Sequence, residues 1–320
     1  RAGVQPDLND TALAAGVPRH LYTKCTSRLS QRVMQGFSGI IRGELGFYSQ
    51  IRPQLDIEAP RGYYACLDEA SWRSMLLMED VALSKGARFT AIDARISLAQ
   101  MHDLLANMAQ WHGRFWDSDQ LRGELRWLRT PANFLDTIAP LGFGFLCRLG
   151  LRRAQGAVPA SVHAQTEALW RGLARSLALH GQAPRTFLHG DPHIGQTYAT
   201  REGRMGYADW QIVMQGSWAF DVAYAIASSL TVEDRRRWER DLLRFYLDRL
   251  RAAGGPEIAA EAAWRDYRPN TLYPYFCWLM TAAGPIVPFL PNMQTDATSF
   301  AIIARTAQAI EDLDVFPALA

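Results

Sequence analysis

The feature that most constrains this chain is a cluster of polar residues that directly follows an apolar, strand-like run. Thr186 to Leu188 predicts a short strand, and His189, Asp191 and His193 follow it at alternate positions. Core packing explains a run of His, Gly, Asp, Pro and His poorly. The pattern therefore predicts a functional loop that begins at the end of a strand.

A second carboxylate follows the loop at a distance that a hairpin can close. Residues 198–200 and 205–208 predict two short strands that turn at Glu202-Gly203, and Asp209 ends the second strand. A hairpin sends the chain out and back, so we expect Asp209 to return close to Asp191. One carboxylate could then act as a base while the other binds a cation.

Lysine is scarce in this chain, which makes each lysine conspicuous. Only Lys24 and Lys85 are lysines among 34 basic residues, and the net charge is +2. Neither stands in a G-x-x-x-x-G-K-[ST] sequence, which excludes a P-loop. The near-neutral balance argues against a nucleic-acid binder, which would carry a strong basic excess.

The length of 320 residues suits one large domain or two modest ones. The four cysteines are widely spaced and form no C-x-x-C, so a zinc ribbon and a thioredoxin motif are excluded. Scattered cysteines favour a reducing cytoplasm, although four could in principle pair. Residues 269–295 carry no charge, but their prolines favour a buried helix followed by a Pro-rich loop over a membrane span.

The first 80 residues predict a small lobe of strands and one helix. Residues 20–26 alternate in the manner of a strand, and residues 63–67 and 75–78 predict two more strands joined by a turn. Residues 35–51 predict a helix, which carries Glu44.

After residue 95 helices dominate. Ser97 and Gln100 have the spacing of a capping box, and the apolar stripe behind them includes His112, which we expect to be buried and hydrogen-bonded. Residues 162–180 predict a second helix, and helices resume at Ser217.

Five segments, in order, resemble the aminoglycoside phosphotransferase and choline kinase superfamily. Its pattern H-G-D-x-H-x-x-N, then a hairpin, then Asp and an aromatic residue, reads here as 189–196 and Asp209-Trp210. The other matching segments are Lys24 with Glu44 (GELGFY), LLMEDV at 76–81, MAQWHGRFW at 108–116 and SWAFDVAY at 217–224. The resemblance spans residues 18–230 and is greatest to the ecdysteroid-kinase-like branch.

The resemblance implies an α+β, two-lobed, protein-kinase-like fold. Residues 1–81 would form a β-rich N-lobe that binds the nucleotide, and residues 82–320 a helical C-lobe with the catalytic loop and acceptor site. It also implies an ATP-dependent enzyme that uses Mg²⁺ and phosphorylates a hydroxyl of a small molecule.

Roles for single residues follow from the same resemblance. Asp191 would accept the proton of the acceptor hydroxyl, and Lys24, oriented by Glu44, would pair with the nucleotide phosphates. His189 would brace the loop and Asp221 would hydrogen-bond the loop backbone. The metal ligands would be Gln196 and Asp209, and the hinge that meets the adenine would be Met78, Glu79, Asp80 and Val81.

Two departures from the family pattern matter. Gln196 stands where the family has Asn, and its extra methylene displaces the metal-binding oxygen, although Mg²⁺ tolerates little variation in ligand distance. Residues 1–20 do not form the expected Gly-rich loop, which indicates a truncated N-terminus. Gln196 motivates an alternative, a catalytically weak or dead kinase-fold protein that binds nucleotide.

Several readings stay open at this point. A metallohydrolase could use His189, Asp191 and His193 as ligands, since alternate strand residues share a face. His193 alone could be a structural loop residue, and Lys85 is expected to be a surface residue. The aromatic run at 267–278 could pack in the core or line a pocket for a less polar acceptor.

Overall fold

The computed structural model describes residues 2–284 and 294–319. By packing they form two compact units. The first unit holds the residues up to Thr90 together with Gln196–Val213, and the second holds Ala91–Gly195 and the residues from Met214 on. These units differ from the lobes 1–81 and 82–320, since residues 196–213 pack with the N-terminal unit. The two lobes therefore stay a proposal based on the sequence.

Helices and small antiparallel sheets make up the described residues, which confirms the predicted α+β class. The strands are β1 Ala2–Val4, β2 Leu21–Cys25, β3 Gly62–Asp68, β4 Arg73–Glu79, β5 Arg88–Phe89, β6 Thr186–Leu188, β7 Thr197–Ala199, β8 Met205–Tyr207 and β9 Met214–Gly216. The helices are α1 Asp10–Ala14, α2 Leu29–Ser38, α3 Ile41–Gly46, α4 Val81–Ser84, α5 Leu98–Arg114, α6 Asp119–Arg122, α7 Pro131–Ile138, α8 Phe143–Arg153, α9 Ala160–Ala164, α10 Thr166–His180, α11 Trp218–Ser229, α12 Val232–Ala252, α13 Ala260–Tyr267, α14 Leu272–Ala283 and α15 Asp296–Leu313.

The first unit is built on an antiparallel sheet in the order β1-β2-β4-β3. Three of these strands were predicted, with ends that shift by one or two residues. Strand β1 was not predicted, because three residues are too short to display a period of two. The register pairs Lys24 of β2 with Leu76 of β4, so the lysine stands on an inner strand of the sheet.

The helix predicted over residues 35–51 is wrong as a single element. Helix α2 spans Leu29–Ser38 and is capped by Gly39, whose φ of 71° is left-handed and therefore suits glycine at a helix end. Helix α3 then begins at Ile41 and continues as a π-helical turn over Phe47–Ile51. The break separates the helix that carries Glu44 from α2.

The predicted hairpin is confirmed as β7 and β8, which pair from Thr197↔Tyr207 to Ala199↔Met205. At the turn, the Thr200 carbonyl accepts the N–H of Gly203 and the Thr200 N–H donates to the carbonyl of Arg204, both at 2.9 Å. Strand β5 pairs with the other edge of β7. The second strand ends at Tyr207, one residue earlier than predicted, and Asp209 follows two residues later.

The second unit is organised around α5 and α11. The capping box of α5 is confirmed, since the Ser97 hydroxyl accepts the Gln100 N–H at 3.2 Å and the Gln100 amide oxygen accepts the Ser97 N–H at 2.9 Å. All twelve residues of α11 are buried. A helix that is buried on every side belongs in a core, and α11 is the central element of this unit.

The helix predicted over residues 162–180 is two helices, α9 and α10. They meet at Gln165, and the Thr166 hydroxyl donates to the carbonyl of His163 at 2.7 Å. A hydroxyl that bonds the backbone three residues earlier competes with the helical ladder, which explains the break.

The uncharged stretch 269–295 contains the buried helix α14, as predicted. The Pro-rich loop predicted after it, with Pro285, Pro288 and Pro291, lies outside the described residues. Within the described ranges no single helix has the length and apolarity of a membrane span. Only a sharply bent pair, Pro131–Leu141 and Phe143–Arg153, reaches that length together.

A glycine in α8 tests the close packing of α8 on α14. A Cβ at Gly150 would overlap the backbone carbonyl of Leu279, whereas a Cβ at Gly144 would meet only the Trp170 ring at 3.6 Å. Gly150→Ala is therefore expected to lower the free energy of unfolding by about 1–3 kcal/mol in urea denaturation. Gly144→Ala, the control in the same helix, should leave it unchanged or raise it, since Ala favours helix by up to ~1 kcal/mol.

Candidate active site

A lysine bound by two carboxylates from distant parts of the chain lies in the first unit. The ammonium of Lys24 contacts Oε1 of Glu44 at 2.5 Å and Oδ1 of Asp209 at 3.2 Å. The three side chains are largely but not fully buried, with 18% of Lys24 exposed. This arrangement holds the Lys24 ammonium in a fixed position next to Asp209. The Asp209 carboxylate has the chemistry to bind a second cation.

Packing of α3 on the segment after Asp209 keeps these groups together. The Phe47 ring stacks on Trp210 with the centroids 3.9 Å apart and the planes 5° from parallel. A Cβ at Gly43 would overlap the carbonyl of Gln211, so the two backbones touch at this point. Asp209 itself has φ 58° and ψ 60°, a left-handed conformation that is uncommon outside glycine and concentrated at functional sites.

The catalytic-loop sequence lies in the second unit and is anchored by one buried carboxylate. Strand β6 pairs with β9, and the loop starts at the next residue. Asp221 of α11 is fully buried and accepts the N–H of His189 at 2.7 Å and of Gly190 at 3.0 Å. Gly190 has φ 83°, a conformation that glycine adopts without strain. The expected bond from Asp221 to the loop backbone is therefore confirmed.

His112 lies below Asp221 in the core, as its position on the α5 stripe predicted. Its Nδ1 is 2.7 Å from the Tyr246 hydroxyl and its Nε2 is 3.4 Å from Oδ2 of Asp221. Burial lowers the pKa of His112, and the neighbouring Asp221 carboxylate only partly offsets this effect. The imidazole is therefore neutral at pH 7 and bridges α5 to α11.

Two histidines brace the loop from within. Nδ1 of His189 accepts the N–H of Asp191 at 3.3 Å, and Nδ1 of His193 accepts the N–H of Gly195 at 3.1 Å. His189 is fully buried. Because both Nδ1 atoms accept, the neutral tautomers carry their protons on Nε2.

Asp191 itself is 19% exposed and receives a hydrogen bond that the sequence did not predict. The Tyr224 hydroxyl donates to its Oδ1 at 2.6 Å. Burial and the nearby Asp191 charge raise the pKa of Tyr224 well above its ordinary value, so the tyrosine keeps its proton. Its only sequence signal is its place three residues after Asp221, on the same helix. Asp191 and Asp209 belong to different units, so their proximity stays a prediction.

The residues predicted for the hinge lie where β4 ends and α4 begins. Met78 and Glu79 close the strand, Asp80 caps the helix by accepting the N–H groups of Ala82 and Leu83, and Val81 is its first residue. Oε1 of Glu79 accepts the Ser84 hydroxyl at 2.7 Å, so the carboxylate holds the turn of the chain.

Lys85, expected to be a surface residue, is partly exposed and forms ion pairs that were not predicted. Its ammonium contacts Oε1 of Glu58 at 2.6 Å and Oε2 of Glu79 at 3.6 Å, with 26% of the side chain exposed. The Tyr198 hydroxyl donates to the same Oε1 of Glu58 at 2.8 Å. Glu58 thus links Lys85, at the end of α4, to Tyr198 of the hairpin. Local sequence patterns could not predict this ion pair.

Gln196 ends the 3-10 turn before β7. Its carbonyl accepts the N–H of Ala208 at 2.7 Å, which pairs it with the residue before Asp209. Within the described ranges no group of three or more His, Cys, Asp or Glu side chains could hold a metal ion. The metallohydrolase alternative, with His189, Asp191 and His193 as ligands, therefore finds no support.

The aromatic run belongs to the core. Tyr267, Tyr273, Tyr275, Phe276 and Trp278 are each at most 4% exposed. This confirms packing as their main role. Buried side chains do not line an open pocket for an acceptor.

Comparison with known proteins decides the family. Residues 38–269 match the phosphotransferase enzyme family. The chain belongs to this family. It is accordingly an enzyme of the transferase class, and the resemblance stated from its sequence is confirmed at family level. No curated protein matches it.

Solved structures agree on the fold. The chain is similar to a candidate aminoglycoside phosphotransferase from Ralstonia eutropha, with a TM-score of 0.52, 14% identity, and 92% of this chain and 86% of that chain covered. It is also similar to the choline kinase LicA from Streptococcus pneumoniae, with a TM-score of 0.50, 13% identity, and the same coverage of 92% and 86%. At these identities the similarity concerns the fold, which is kinase-like.

Removing the charge of Asp221 tests whether it anchors the loop. Asp221→Asn replaces one accepting oxygen by an amide donor, so one of the two loop N–H groups loses its partner. A buried bond to a charged group contributes about 1.5–3 kcal/mol, and urea denaturation should register a loss of that size. Hydrogen exchange at the His189 and Gly190 amides should accelerate. Asp241→Asn, at an exposed carboxylate, serves as the control and should change neither quantity.

Proposed function

We propose that this phosphotransferase moves the γ-phosphate of ATP to a hydroxyl of a small, non-protein acceptor. The observation that carries the proposal is the contact of Lys24 with both Glu44 and Asp209. The three residues are far apart in sequence, yet their side chains meet. Phosphoryl transfer asks mainly for positioning and charge neutralisation, which such an arrangement supplies.

Lys24 would pair with the nucleotide phosphates. Glu44 holds the ammonium on one side, so the lysine is oriented before a nucleotide arrives. The backbone around Met78, Glu79, Asp80 and Val81 would meet the adenine. Since the side chains of Glu79 and Asp80 are engaged in holding the turn, their contribution there is to shape the backbone.

The donor groups fit a Mg²⁺ ion that arrives with its nucleotide. Mg²⁺ prefers oxygen ligands and is usually held by one or two carboxylates together with phosphates and water, instead of by a complete protein cage. Asp209 offers a carboxylate and Gln196 an amide oxygen, on segments joined by the bond from Ala208 to the Gln196 carbonyl. When bound, the ion would neutralise charge on the transferred phosphate.

Asp191 would accept the proton of the acceptor hydroxyl as that oxygen attacks phosphorus. Its carboxylate is partly exposed, on a loop whose backbone is held by Asp221 and braced by His189. A positioned base contributes roughly 10²–10⁴-fold to a rate. His189 is fully buried, which supports a bracing role for it and not a role in proton transfer.

The class of acceptor has to be identified by experiment. The aromatic residues at 267–278, which favoured a less polar acceptor, are buried and do not indicate one. Choline kinase and aminoglycoside phosphotransferase are names of proteins with a similar fold, and a fold hosts many substrates. A screen of alcohols with Mg-ATP should therefore include amino alcohols, sugars, aminoglycosides and sterols. The four unpaired thiols support a reducing, cytoplasmic location.

Asp191→Ala tests the proposed base. We expect turnover with the most active alcohol of the screen to fall at least ~10²-fold, while calorimetry with Mg-ATP gives an unchanged affinity. The reason is that nucleotide contacts are assigned to Lys24, Glu44 and Asp209. Asp241→Ala controls for the loss of an exposed carboxylate. Normal turnover in Asp191→Ala would exclude Asp191 as the base.

Gln196 favours a second candidate function, a kinase-fold protein that binds nucleotide with weak or no transfer. Its amide oxygen lies one methylene further from the backbone than that of Asn, and the ligand distances of Mg²⁺ are confined to about 2.0–2.1 Å.

Gln196→Asn separates the two candidates. If the wild-type chain transfers phosphate, the second candidate is excluded, and we expect this outcome. If the wild type is inactive, binds Mg-ATP in calorimetry and gains turnover as Gln196→Asn, the second candidate replaces the first.

A further inference from the structure

We propose that Tyr224 and Trp278 form a hydrogen-bonded relay that positions the Asp191 carboxylate. This inference rests on the proposed function of Asp191 as the base, and it deepens that function by naming the residues that orient it. Both belong to the second unit, on α11 and α14. Neither lies in the loop that carries Asp191.

The direction of each hydrogen bond follows from the chemistry of the groups. The indole N–H of Trp278 can only donate, and it lies 2.9 Å from the Tyr224 hydroxyl oxygen. That oxygen therefore accepts from the indole, and the single hydroxyl proton is left to point along the 2.6 Å contact with Oδ1 of Asp191. A hydroxyl polarised by a donor behind it is a stronger donor in turn.

Burial makes the relay rigid. Tyr224 is 2% exposed and Trp278 is 4% exposed, so the bond between them is shielded from bulk water. Burial and the Asp191 charge keep Tyr224 protonated, which preserves it as a donor. The bond to a carboxylate is charge-assisted, and its length is that of a strong O–H···O⁻ contact.

His193 completes the surroundings from the loop side. Its ring meets the Trp278 ring edge to face, with the centroids 5.0 Å apart and the planes at 88°. Because its Nδ1 accepts from Gly195, its Nε2–H faces Oδ2 of Asp191, 3.6 Å away. Oδ1 of Asp191 thus accepts a hydrogen bond from Tyr224, and Oδ2 faces the imidazole of His193. The two contacts fix the rotation of the carboxylate.

Tyr224→Phe removes only the hydroxyl and keeps the ring. We expect kcat with the most active alcohol of the screen to fall about 10–100-fold, because a misplaced base loses up to ~10²-fold. The KM for Mg-ATP should not change, since the proposed nucleotide groups lie in the other unit. Trp278→Phe, which frees the tyrosine to rotate, should cause a smaller fall.

Tyr275→Phe is the matched control. Tyr275 is fully buried on the same helix as Trp278, and its hydroxyl has no hydrogen-bond partner among residues 2–284 and 294–319. Its removal should leave kcat unchanged. Tyr224→Phe should also cost little in an Asp191→Asn background, since it acts through Asp191. Equal losses with Asp and with Asn at 191, or wild-type kcat in Tyr224→Phe, would overturn the proposal.

An NMR measurement tests for the relay and does not depend on enzymatic activity. The indole ¹⁵N–¹H signal of Trp278 is assigned among the ten tryptophans by its loss in Trp278→Phe. It should move in Tyr224→Phe and in Asp191→Asn, and stay in place in Tyr275→Phe. An unmoved signal in Tyr224→Phe would refute the relay. If the wild type transfers no phosphate but the signal moves, the proposed function fails and the relay stands.

Discussion

The second unit depends on one buried charge, the carboxylate of Asp221. A buried carboxylate is costly unless it is hydrogen-bonded, and Asp221 accepts two backbone N–H groups of the loop that follows β6. His112 is neutral below it, so among residues 2–284 and 294–319 the carboxylate is stabilised by the dipoles of the backbone N–H groups. Those same bonds satisfy loop amides that would otherwise be buried without acceptors. The helix and the loop therefore require one another.

In the first unit, Lys24 contacts two carboxylates, Glu44 and Asp209. Its side chain is largely buried, with 18% exposed, and a partly buried ion pair must offset the cost of removing its charges from water. Two carboxylates around one ammonium are better understood as preparation for a ligand, because a phosphate chain and its cation would exchange with these contacts at small cost. The strained backbone of Asp209 and the stacking of Phe47 on Trp210 fit a site that is held ready.

Much of this could be predicted from local patterns. The capping box at Ser97, the hairpin before Asp209 and the burial of His112 depend on spacing within one element, and all three are confirmed. The family was recognisable because its residues recur in order along the chain. The single helix over 35–51 was wrong because periodicity does not register a left-handed glycine at position 39. The ion pair of Lys85 was not predicted because Glu58, its partner, lies 27 residues away in the chain.

The sequence by itself determined which chemical groups are present, which stretches are mainly helical or extended, and which family the chain belongs to, because these depend on local spacing and order. Only the tertiary structure decided which side chains meet. The contact of Lys24 with Asp209 spans 185 residues, and that of Trp278 with Tyr224 spans 54. Such contacts depend on how elements pack, since a hydrogen bond needs atoms placed within a few tenths of an ångström. The hydroxyl of Tyr224 was visible in the sequence, but its direction was not.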